Sequence, residues 1–202
     1  MRAVRPVADI STLPRTVFAH RALMWWGTIG FIVIEGTTLF ICAVTYFYLR
    51  QNFSSWPPEH IYRPGLTIPT IQAVLMLLSI IPMRWVDHHS SRMDIHGVRR
   101  GMLICSVLIL IMCVLRVFEF TALKVRWDTS AYGSAAWAIV VAHTTLLVLE
   151  AAETVTITAL VLQPSVEERD LSGVSDNALY WYFLTGVWIP LYVIVYLSPY
   201  FM

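Results

Sequence analysis

The chain has 202 residues, of which 57% are hydrophobic and 13% charged, with a formal net charge of +1. A soluble domain carries about twice that fraction of charge, so the composition excludes an ordinary water-soluble fold and gives no reason to expect a nucleic-acid partner. Cys42, Cys105 and Cys113 all lie in apolar runs without metal-like spacing, so they read as small hydrophobes and not as a disulfide frame.

Residues 1–21 form a basic N-terminal arm containing Pro6 and Pro14. The arm lacks an obvious small-residue cleavage site and leads into an apolar run too long for a signal-peptide core, so it is expected to stay on the mature protein. Residues 22–202 then read as one membrane domain. Five apolar stretches, about 22–49, 66–86, 101–123, 133–162 and 177–201, each supply the roughly 20 residues a helix needs to cross a bilayer. Backbone groups in lipid must pair internally, so the prediction is an all-α membrane protein, a bundle of five transmembrane helices. The connections are short and polar, and no soluble domain fits between the spans.

The first span places Glu35 in the middle of "FIVIEGTTLF". Thr28, Thr38, Cys42 and Tyr46 share its face in a 3.6-residue period, the kind of polar stripe that two helices use to meet in lipid. The third span carries Arg116 and Glu119, and the fourth His143 and Glu150, with Glu153 nearby. An ionised side chain at mid-bilayer costs on the order of 3 kcal/mol by insertion scales, so these groups must face protein or water. Counting residues from the span ends puts Glu35, Arg116 and Glu150 at similar depth. The expectation is a buried Glu35–Arg116–Glu150 cluster with a proton-buffering role. The plainer alternative is an ion pair that only fixes helix packing, and Arg116 and Glu119, three residues apart, can also satisfy each other locally.

Lys and Arg distribution gives direction. The N-terminal arm, second loop and fourth loop hold nine, against four in the first and third loops. That predicts a cytoplasmic N-terminus and an outside C-terminus. Trp25, Trp26, Trp56, Trp85, Trp127 and Trp181 fall near span ends, where interfacial aromatics are expected.

Holding haem or copper in a membrane takes several transmembrane histidines, and only His143 lies deep in a span. His88 and His89, in the second loop "DHHSSRMDIHGVRR", are adjacent and ill-placed to share one ordinary metal geometry. No nucleotide-binding glycine loop, HExxH motif or nucleophile–base pair is visible, so no catalytic residue and no metal site are expected in this chain. A small proton-coupled transporter built on the charged cluster is an alternative, although no inverted repeat or helix broken in mid-membrane supports it.

The landmarks in order, "FIVIEGTTLF", "WPP", "RWVDHHS", "VFEF", "AYGSAAWAIVVAH" and "WYFLTGVW", resemble cytochrome c oxidase subunit III, the third core subunit of haem–copper oxidases, from residue 22 onward. On that resemblance Glu35 falls on the family's buried glutamate, and Trp56, Pro57 and Pro58 on the loop after it. His88 and His89 match the family's histidine pair, Glu119 its acidic residue, and His143 the first histidine of "HGxH". Leu146, Tyr182, Thr185 and Gln72 depart from the pattern, and Arg116 and Glu150 stand where the family usually has uncharged residues. The family has seven helices, so resemblance implies a five-helix version whose lipid-holding cleft is open or filled by a partner.

The resemblance further implies a non-redox subunit in a bacterial plasma (inner) membrane, bound to catalytic subunit I, other subunits and membrane lipids. The haem and copper are expected in that partner, and bound phospholipids in this chain. An accessory protein of a nitric-oxide reductase system is a second reading of the same resemblance.

Overall fold

The computed structural model describes residues 22–164 and 170–201. The arm 1–21 and Arg169, on which much of the orientation count rests, lie outside the described residues. Five long helices appear in chain order: α1 (Leu23–Arg50), α2 (Thr67–Ser91), α3 (Ile95–Ala122), α4 (Ala131–Val161) and α5 (Asp170–Tyr192). α5 continues through one wide π turn, Val193–Leu197, into a last turn at Ser198–Phe201. The π turn opens within one turn of Pro190, which has no N–H to give to the helix ladder. All five helices are long and apolar enough to cross a membrane, and no strand occurs among the described residues.

α2, α3 and α5 are longer than the apolar runs that announce them. α2 carries on through His88 and His89, and α3 begins at Ile95, so the stretch read as a polar second loop is almost all helix. Asp94 makes this possible by capping α3, its carboxylate accepting from the Gly97 amide at 3.2 Å. The turn between the helices shrinks to Arg92–Asp94, with Met93 in the left-handed region at φ 58°. α5 likewise starts seven residues before its predicted bound. Ser130 caps α4 by accepting from the Gly133 amide at 3.0 Å. At the other end of α4, Arg99 of α3 donates to the Val161 and Gln163 carbonyls at 2.8 and 2.7 Å, satisfying groups the helix leaves unpaired.

Around the bundle, α2 packs on α3 and α5, α3 on α4, and α1 on α4 and α5, while α4 and α5 also touch each other. Half of the apolar stretch of α4 is buried against 6% of that of α1, so α4 is the axial helix and α1 an outer one. α1 buries Leu39, Ala43 and Tyr46 but exposes Phe31, Ile34, Phe40 and Ile41. In water such a face would be an aggregation site; on a helix of this length it is the wall that meets lipid or another membrane protein.

α2 and α3 approach closely at Gly97 and Gly101, four residues apart on one face. A Cβ at Gly101 would sit 2.3 Å from the Val86 side chain, and one at Gly97 would sit 2.2 Å from His89. This small-xxx-small contact is the usual way for helices to meet in lipid.

Two of the tryptophans expected at the interface are core residues instead. Trp56 is buried against the rings of Tyr46 and Tyr132, with centroids 5.4 and 5.2 Å away, closing the end of the bundle where α1 terminates. Pro57 and Pro58 are half-buried beside it. Trp181 is buried in α5 and donates from Nε1 to Ser79 Oγ of α2 at 2.9 Å. Ser79→Ala strands that indole N–H, and a loss of about 1–3 kcal/mol is expected. Thermal unfolding of the purified variant followed by circular dichroism reads it, and a variant as stable as the native chain would refute the role given to this bond.

Candidate functional site: two buried polar clusters

The expected single cluster does not form, because the structure divides its members between two sites. Arg116 of α3 is 1% exposed, and its Nη1 lies 2.8 Å from Glu119 Oε2, also fully buried. Its Nη2 donates to His143 Nδ1 of α4 at 3.1 Å, and its guanidinium stacks 3.9 Å from the centroid of the Trp188 ring of α5. The local i,i+3 pairing therefore takes the arginine, with a cation–π contact on its open face.

The hydrogen bonds fix the tautomer of His143. Nε2 lies 3.1 Å from the Leu184 carbonyl oxygen, which only accepts, so Nε2 carries the proton and Nδ1 accepts from Arg116. Both ring nitrogens are thus engaged, and neither presents a free lone pair to a metal.

Glu150 lies seven residues further along α4, two turns or about 10.5 Å away. Its Oε1 accepts from Asn177 Nδ2 of α5 at 2.9 Å and from Thr154 Oγ1 at 3.3 Å. Glu35 of α1 accepts a hydrogen bond from the Tyr180 hydroxyl of α5. Glu35, Glu150 and Tyr180 line one cavity of about 470 Å³, together with Glu153 and the α1 residues Met24 to Phe31. So two of the three expected partners do share a site, and the arginine is the member that does not.

The α5 residues Asn177 and Tyr180 escape the sequence reading, and Trp188 enters it only as the end of the motif "WYFLTGVW", although the three carry most of the partnering. Their signal is the stripe Asn177, Tyr180, Trp181, Leu184, Trp188, spaced by three and four along one helix face. Asn177 falls at the predicted edge of the last span, where a polar residue passes for loop.

His88 and His89 lie on the last turns of α2, not in a loop. His89 donates from Nδ1 to the Trp85 carbonyl at 2.7 Å, and its Nε2 is 3.8 Å from Asp94. His88 is exposed, its ring edge-on to His89 at 5.9 Å. His89 is the member of the pair that reaches the α2–α3 turn.

A second, almost wholly apolar groove of about 370 Å³ runs between α1 and α5, bounded by Leu39, Phe40, Ala43, Val187, Leu191 and Ile194.

Comparison with known proteins bears on the bundle as a whole. A family model for cytochrome c oxidase subunit III matches residues 9–200. The chain is 23% identical over 179 residues to cytochrome c oxidase subunit 3 of Synechocystis sp., covering 88% of this chain and 77% of that protein. It is 20% identical over 172 residues to the protein of the same name from Thermostichus vulcanus, with 85% of each covered. A match that runs through all five helices, and not through one motif alone, places this chain in the cytochrome c oxidase subunit III family.

Proposed function

We propose that the chain is the non-redox third core subunit of a respiratory haem–copper terminal oxidase. It packs against catalytic subunit I, stabilises it, and supports lipid retention, oxygen access and proton uptake. One observation carries the reading: the family match is collinear with the entire helical bundle. The engaged ring nitrogens of His143 favour a supporting role for this chain, with the haem and copper in the partner subunit. The exposed apolar wall of α1 suits burial against lipid or a membrane partner, and the groove between α1 and α5 suits an acyl chain or dioxygen, both apolar. Lys and Arg distribution supports a cytoplasmic N-terminus in a bacterial inner membrane.

The test is to tag the chain, purify it in mild detergent, identify its companions and record the reduced-minus-oxidised spectrum. Stoichiometric a-type haem and copper with a large multi-span partner is the expected result. Haem b with non-haem iron would move the chain to a nitric-oxide reductase system. A colourless chain purified alone would overturn both readings.

A further inference from the structure

The cavity between α1, α4 and α5 has a chemistry that the supporting role does not use. Three carboxyl groups line it: Glu35 from α1, and Glu150 and Glu153 from α4. Among the described residues that line it there is no Lys, Arg or His. Three ionised carboxylates around one intramembrane cavity repel one another and lose hydration, so a positive charge must reach them. Glu35 is held by Tyr180, and Glu150 Oε1 by Asn177 and Thr154. Glu150 Oε2 stands apart. The residue is 1% exposed, it lines the cavity, and this oxygen has no hydrogen-bond partner. With Oε1 tied to α5, Oε2 is the carboxylate oxygen left without a donor.

The cavity also has a way in. Its lining runs along α1 from Met24 to Glu35, eleven residues or about 16 Å of helix, and so from one membrane face toward the middle. Glu153, one turn nearer that face than Glu150, is exposed and stands on the path. Glu153 thus leads inward to Glu150, whose Oε2 lacks a donor, while Glu35 lines the cavity at a similar depth from α1.

We propose that this cavity is an intramembrane proton-binding site, with Glu150 as its terminal acceptor and Glu153 and Glu35 as the groups that share its proton. The proton comes from water at the open end, converts one carboxylate to a carboxyl, and leaves by the same route. The groups facing Glu150 are Glu35 of α1, Cys105 of α3, Glu153 of α4, and Asn177 and Tyr180 of α5, with Asp176 of α5 facing Glu153. The proposal rests on the bundle itself and stands or falls separately from the oxidase assignment.

The full chain in lipid nanodiscs tests it by infrared difference spectroscopy between mildly acidic and mildly alkaline buffer. The expected result is a carbonyl band of a protonated carboxyl that grows on acidification, shifts in heavy water and is indifferent to replacing sodium with choline. Glu150→Gln, which keeps a carbonyl for Asn177, should remove that band. Glu153→Gln, at an exposed position, should keep the band and move its midpoint, so it decides the matter if the first variant does not fold. No pH-dependent carboxyl band, a band unchanged by both substitutions, or one set by sodium at constant pH would each overturn the proposal.

Discussion

Arg116→Gln is expected to destabilise the bundle by about 3–5 kcal/mol, the usual result of removing one member of a buried ion pair. The substitution leaves the Glu119 carboxylate, fully buried, without its cation. It also removes the donor to His143 Nδ1 and the cation over Trp188, so three helices lose their common contact. The pair itself is another matter. Taking two charges out of water offsets much of their attraction, so the double substitution Arg116→Met with Glu119→Leu should recover most of the loss. Detergent-titrated unfolding of Arg116→Met, Glu119→Leu and the two combined forms a double-mutant cycle. A single substitution costing under about 1 kcal/mol would mean that the charges do not depend on each other.

A graded loss is expected at Gly101. Alanine there puts a methyl 2.3 Å from Val86 Cγ2 and under 3 Å from the Trp85 ring, in a contact with no slack. Overpacking of this kind costs about 1–3 kcal/mol, and leucine should exceed that and separate α2 from α3. Gly186→Ala is the control, since nothing lies within 4 Å of its added Cβ. There the better helix propensity of alanine should be neutral or stabilising by up to about 1 kcal/mol. Thermal midpoints of the purified proteins give the order. If Gly101→Ala matches Gly186→Ala, the close approach of α2 and α3 is not what the glycine serves.

The number of helices and their membrane character are legible in the sequence because a bilayer imposes a length that few other structures need. Their ends are less legible, because polar residues that extend a helix into the headgroup region look like loop. That error propagates to the charges. The apolar run that sets the depth of Arg116 begins at 101, but α3 begins at Ile95. Six residues displace the estimate by about 9 Å, nearly the two turns that separate the His143 level from Glu150. Glu35 and Glu150 sit on helices whose relevant ends were placed within a residue or so, and those two do share a cavity. Counting also gives only a height. Which way a side chain faces follows from neighbours such as Asn177 and Tyr180, which lie where the last apolar run only begins. The alternative of a local Arg116–Glu119 pair needed no depth at all, and it is the one the fold adopts.

The π turn in α5 has a consequence for alignment. One residue more than an α turn holds has been accommodated between Val193 and Leu197. Each residue advances a helix by about 100°, so everything beyond that turn is rotated by about that much relative to an uninterrupted α5. The rotated segment lets Ser198 meet the Tyr46 hydroxyl at 3.3 Å and Tyr200 donate to the Pro64 carbonyl at 2.7 Å. The segment Ser198–Phe201 is indexed to α1 and to the α1–α2 connection by a count of residues. Deleting any one residue from this segment would restore a regular helix and swing both side chains away from their partners.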